Sequence, residues 1–223
     1  VGGRYRMFGV EVRYLGLHEW SSDDDAGPAN GGWVQYQTPI GNGLAGALLK
    51  TEYDSKLHNV EVNLRWWPFE RLSILAGFRY LTLDEDLTIG HNIGPGLNYT
   101  EHEIETDNTL LGGQVGIEGV IVRFNNVFFD GDAINLGGCA KGGYFNNHVK
   151  TDIKIIQTVG PPFWFVDESD NEGTFLIEGN ATIGYSITPN VAVELRYGLM
   201  WIENVALAPE QVVKRRFLGA VEA

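Results

Sequence analysis

The 223 residues are 43% hydrophobic and 12% aromatic, include 29 glycines and a single cysteine, and carry a formal charge of −13. That length suits one domain without a second. The acidity excludes the basic footprint of a nucleic-acid binder, and the lone Cys139 excludes an internal disulfide framework. No run of about 18 apolar residues exists, which excludes a transmembrane helix but not membrane-crossing strands, whose mark is a weak alternation.

A period of two is the mark of a strand seen from its two sides. It begins near Tyr5–Leu17, where Phe8, Val10, Val12 and Tyr14 oppose Glu11 and Arg13. The polar segment Ser21–Gly32 follows, with Asp23, Asp24 and Asp25, and then Trp33–Lys50, a hairpin expected to project beyond the rim. Lys56–Trp66 sets Val60, Val62, Leu64 and Trp66 against Glu61, Asn63 and Arg65; after the turn Trp67–Glu70, Arg71–Leu83 sets Leu72, Ile74, Ala76, Phe78 and Tyr80 against Ser73, Gly77 and Arg79. Gly90, Gly94, Pro95 and Gly96 predict an irregular connection over Asp84–His102. Glu103–Glu118 and Ala133–Phe145 are further strands, with Gly119–Asp132 ambiguous between strand and turn. A third long connection is expected over Asn146–Gly173, with Gly160-Pro161-Pro162 and the acidic stretch Asp167–Glu172. Phe175–Ile187 and Val191–Trp201, joined by Thr188-Pro189-Asn190, show the cleanest alternation.

Long and short connections alternate, as in an all-β, antiparallel up-and-down transmembrane barrel with long extracellular loops and short periplasmic turns. About eight strands of some 10–13 residues are expected, against the ~9–11 that cross a bilayer at a tilt. The large aromatics Tyr14, Trp66, Tyr80, Tyr185, Tyr197 and Trp201 fall towards strand ends on the apolar faces, as an interfacial girdle would. The polar faces hold Glu11, Glu61, Glu118, Glu178 and Glu194 against Arg13, Arg65, Arg79, Lys141 and Arg196. Five acids meet five bases, which suits a narrow lumen, because a buried charge is costly unless paired. The whole negative excess is then left to loops, turns and termini, as an acidic outer rim.

Other candidates are weaker. His18, His58, His91, His102 and His148 lie in or beside the long-loop side, some next to carboxylates, but their spacing matches no defined metal site. Asp23-Asp24-Asp25, Asp84-Glu85-Asp86 and Asp167–Glu172 are expected to attract divalent cations weakly; no cofactor or resident metal is expected. No nucleophile elbow, phosphate-binding glycine loop, paired-cysteine motif or zinc-protease motif occurs, and Ser55 with His58 is the only local catalytic candidate. The chain is expected not to be an enzyme.

Several segments together resemble the outer-membrane β-barrel porin family typical of planctomycete-type bacteria. They are Glu11–Gly16, Tyr53–Arg65, Leu75–Leu81, Asp107–Gly116, Lys141–Phe145 and Val205–Gln211, and they follow one another over most of the chain. Gly77-Phe78-Arg79-Tyr80 and Ala206-Leu207-Ala208-Pro209-Glu210-Gln211 are the most telling. The resemblance implies an outer-membrane barrel, a channel or structural envelope protein, and brings no catalytic residues. One departure is that such barrels have a further closing strand after the Ala-Pro-Glu-Gln element. Either Gln211–Ala220 closes the barrel unusually, Gly119–Phe129 supplies an extra strand, or part of the protein is absent from residues 1–223.

The expected function is therefore a porin-like passive channel or structural envelope barrel of the bacterial outer membrane, with an ion-paired lumen. The alternatives are a non-conducting scaffold or adhesion barrel and a soluble, lipocalin-like carrier of small ligands. Outer-membrane lipid is the expected partner, with a second copy of the chain or other envelope proteins left open.

Overall fold

A computed structural model describes residues 2–5, 7–26, 34–38, 41–45, 49–92, 99–129, 132–157, 164–188 and 191–211. The elements are β1 (Gly2–Tyr5), β2 (Phe8–Ala26), β3 (Val34–Thr38), β4 (Gly41–Ala45), β5 (Leu49–Phe69), β6 (Leu72–Asn92), β7 (Tyr99–Asn125), β8 (Ala133–Gln157), β9 (Trp164–Thr188) and β10 (Val191–Ile202). Eight of them form one antiparallel sheet in the order β1-β2-β5-β6-β7-β8-β9-β10, while β3 and β4 pair as a hairpin in a sheet of their own. Every described neighbour in the large sheet is also the next large strand in sequence, the simplest up-and-down topology. Among the described residues no ladder joins β1 to β10.

The sheet is nevertheless rolled. Arg13 on β2 and Arg196 on β10 both reach Glu118 on β7, at 3.1 and 3.8 Å. Each lies three strands from β7, a separation of about 14 Å in a flat sheet. Side chains of this length meet only if the sheet curls to bring its two ends towards its middle.

The two faces have opposite chemistry. Over the half nearer the short turns, Phe78, Val115, Leu195 and Tyr197 stand outward, the last two at 72% and 70% exposure. Asn63, Arg79, Gln114 and Lys141, on the alternate positions, are buried. This is the reverse of a water-soluble protein, in which burial selects apolar side chains.

The strands are longer than this apolar-faced portion, at 19–27 residues for β2 and β5–β9. In their other half the chemistry inverts. Leu81, Leu87, Ile89, Ile104, Leu110, Ile153 and Ile155 are buried inside. The outward positions pair in register as Asp54↔Asp86↔Glu105↔Asp152↔Asp167, one carboxylate from each of five consecutive strands. The irregular connections expected over Asp84–His102 and Asn146–Gly173 are accordingly strand for most of their length. Ser21–Gly32 likewise begins as β2, and the ambiguous Gly119–Asp132 resolves, over its described residues, into the end of β7 and a turn, so that Gly119–Phe129 supplies no extra strand. The eighth strand is β1. The expected Gln211–Ala220 closure lies, after Gln211, outside the described residues, as do Pro39, Pro95, Pro161-Pro162 and Pro189-Asn190.

Candidate functional site

The interior is built by strands that each present one or two charged residues at alternate positions. Of the ten charges, four make one cluster. Glu61 on β5 accepts from Lys141 on β8 at 2.9 and 3.0 Å and from Arg79 on β6; Glu178 on β9 accepts from the same Arg79 and, at 3.2 Å, from Lys141. Two acids and two bases alternate around a closed ring. Amides complete it: Asn59, Asn63 and Gln114 donate to Glu61 at 3.3, 3.1 and 2.9 Å. Arg79 is 1% exposed. Such a charge is tolerable only because opposite charge and hydrogen bonds replace its water.

The other six charges gather nearer the short turns. Arg65 donates to Glu118 at 2.6 Å and to Ser73 at 3.2 Å, and its Nε lies 2.8 Å from Glu11. Arg13 bridges Glu11 and Glu118, and Arg196 pairs with Glu194 at 2.8 Å while reaching towards Glu118. Three acids meet three bases. Beside this cluster a cavity of about 320 Å³ opens among Arg65, Arg71, Arg123, Glu194, Arg196 and Thr182. Each cluster is neutral on its own, which the overall balance of five against five did not require.

Apolar packing fills the space above the four-charge ring. Phe145 is wholly buried, its ring lying over Gly143, where an added Cβ would meet it at 2.7 Å. Glycine is needed here for close approach rather than for backbone freedom. The family model described as "Putative beta barrel porin-7 (BBP7)" matches residues 30–216. The chain belongs to this family. No curated protein and no solved structure gives a match.

On this porin-7 chain, Tyr14, Trp66, Tyr80 and Trp201 stand exposed on the apolar face. Tyr197 shares that face but is mid-way along β10, flanked by Leu195 and Leu199, so its expected place at a strand end is corrected. Tyr185 packs edge-on against Phe128 at 5.8 Å and donates to Asp132 at 2.9 Å. Asp132 also accepts the N–H groups of Val127, Phe128 and Phe129. Those bonds hold its carboxyl below the ordinary aspartate range, against the opposing effect of burial.

The expected acidic clusters change character. Asp84 and Asp86 face out, but Glu85 faces in and is buried, accepting from Tyr53 at 2.8 Å and from the Ala208 N–H at 2.9 Å. Burial, then the Glu85 contact, pushes the Tyr53 hydroxyl up to about 12. Much of the negative excess rides on strands rather than loops. His58 faces out and bonds Tyr14 at 3.1 Å, on the face opposite Ser55, so that catalytic candidate is not assembled. His102 is buried inside and His148 meets Asn171 at 3.0 Å; the side chains of His18 and His91 lie outside the described set. Among the described residues no group of three or more metal-ligating side chains gathers. Beside Asn63, already set on the polar face, the interior gathers the neutral Asn59, Asn108, Gln114 and Asn147, which were not counted with the charges; they share the inward parity, and that parity was the available signal.

Proposed function

We propose that this porin-7 chain is an outer-membrane barrel whose filled, ion-paired interior makes it a structural envelope element rather than a diffusive pore. The observation that carries this is the inversion of burial: large apolar side chains stand outward over one half of the strands while charges are buried behind them. Lipid is the solvent that rewards such a surface, and closed strands satisfy backbone groups within it. An eight-stranded barrel has an interior that side chains suffice to fill. The two neutral clusters, the amides around Glu61 and the ring of Phe145 supply such filling. A soluble carrier would need the opposite distribution.

The acidic half of the strands extends beyond the apolar belt as a hydrophilic wall, on the outer side in this reading. Its row of carboxylates raises local cation concentration, a weak and non-specific attraction. A second reading, a narrow polar passage, is favoured by the family's porin description and by the cavity near Arg65 and Arg196.

Planar-bilayer recording separates the two. The structural reading expects refolded protein that enters membranes without steady conductance. Stepwise, cation-selective currents from the unaltered chain would replace it with the passage reading.

A further inference from the structure

The chain turns inward after β10. The Glu203 N–H donates to Phe175 O at 2.9 Å, and Asn204 adopts a left-handed backbone, φ 53°, that reverses direction. Asparagine is among the few residues that visit this region readily. Interior side chains then meet the backbone one strand at a time. Asn147 on β8 and Thr174 on β9 donate to Asn204 O at 3.2 and 3.4 Å. Asn108 on β7 clasps Ala206 with both amide atoms, donating to its carbonyl at 2.7 Å and accepting its N–H at 2.9 Å. Glu85 on β6 accepts the Ala208 N–H at 2.9 Å. Four consecutive strands thus each contribute a polar contact, with no ladder between the segment and the sheet.

The apolar contacts match. Val205 packs on Leu81, Leu110, Phe145 and Leu176, and Ala208, wholly buried, sits among Leu87, Ile89, Ile104 and Ile153. A helical turn at 208–211 follows, closed on Leu207 O by the N–H groups of Glu210 and Gln211.

We infer that residues 204–211 are a built-in plug that closes the interior, at the end opposite the short turns, to water and small solutes. This rests on the barrel reading above and adds what seals it. The inverted half of the strands has an apolar inner face, which water would otherwise fill at a cost; the segment supplies the complementary surface. Side chains rather than a ladder hold the plug, so single substitutions release it while the strands stay paired. Asn108→Leu removes both clasping bonds at similar volume, and Ala208→Arg places a cation where only a methyl group fits.

The test is thiol accessibility in the full chain carrying Cys139→Ser. Leu110→Cys puts a thiol beneath the plug and Glu210→Cys an exposed one on it. A membrane-impermeant maleimide is expected to label position 110 at least about tenfold more slowly than position 210. Adding Asn108→Leu should raise the rate at 110 about tenfold, the consequence of losing one to two hydrogen bonds; Ala208→Arg should do the same or more, with the folded gel migration retained. Equal rates at 110 and 210 in the unaltered segment, or a rate at 110 that neither release variant changes, would overturn the plug. Failure to float with lipid vesicles would instead overturn the barrel reading, and the labelling comparison in solution would still decide the plug.

Discussion

Arg79 shows what a single interior side chain does in this molecule. It joins Glu61 on β5 to Glu178 on β9, four strands away around the sheet, with almost no access to water. Replacing it with leucine leaves two buried carboxylates facing the single cation Lys141, and breaking a buried pair from one side costs about 3–5 kcal/mol. Arg79→Leu should lower unfolding stability in micelles by that order, and adding Glu61→Gln should recover part of it, because the second change restores neutrality. Asp132 makes a different kind of prediction. Its carboxyl is held low by three backbone donors and Tyr185, so it stabilises the fold above the unfolded aspartate value of about 3.9, and that contribution is lost as pH falls through the lower, folded value. A pH titration of unfolding midpoints should show this acid-side loss in the unaltered protein and not in Asp132→Asn.

At the scale of the strand, alternation was legible wherever one face was charge-free, as in Val191–Trp201; the buried Glu61, Arg65, Arg79 and Lys141 lie on the face that parity alone assigns, whereas the buried Glu85 was not among the charges so chosen. The upper halves of β6, β7 and β8 were not legible. There the same period of two persists with its faces exchanged, so Leu87, Ile89, Ile104 and Ile153 point in while Asp86, Glu105 and Asp152 point out. Acids and glycines on an expected lipid face look like a loop, and nothing local distinguishes a loop from a strand that continues beyond its apolar-faced portion. The plug was invisible for another reason: Ala206 and Ala208 carry no pattern, and their partners lie about a hundred residues away.

The outward row of carboxylates has an energetic consequence. Like charges directly opposite in a sheet destabilise by roughly 0.2–1 kcal/mol each. Burial and then the neighbouring Asp107 raise the Asp84 carboxyl, and burial and then Glu105 raise that of Asp86. A raised acid binds its proton more tightly when folded, so its charge costs stability above the folded value, and the cost disappears as pH falls towards about 3.9. Asp86→Asn should therefore unfold at higher urea than the unaltered chain at pH 7, with the gap closing by pH 4. A gap of the opposite sign at pH 7 would show that the row is compensated by partners beyond the strands.

At the scale of the whole molecule, three layers follow one another along the strands: a neutral polar interior behind an apolar exterior, an apolar interior behind an acidic exterior, and the returning segment that fills the second. All three depend on which medium touches the outward apolar face. Nitroxide labels at Val115 and Leu195, compared with labels at the inward neighbours Gln114 and Gly116, report that medium in reconstituted vesicles through collisions with oxygen, which dissolves in lipid, or with a water-soluble nickel chelate. High oxygen and low nickel access at the outward pair, alternating with neither at the inward pair, is the expected result. Nickel access at Val115 and Leu195 equal to that of a label in bulk water would contradict the membrane barrel.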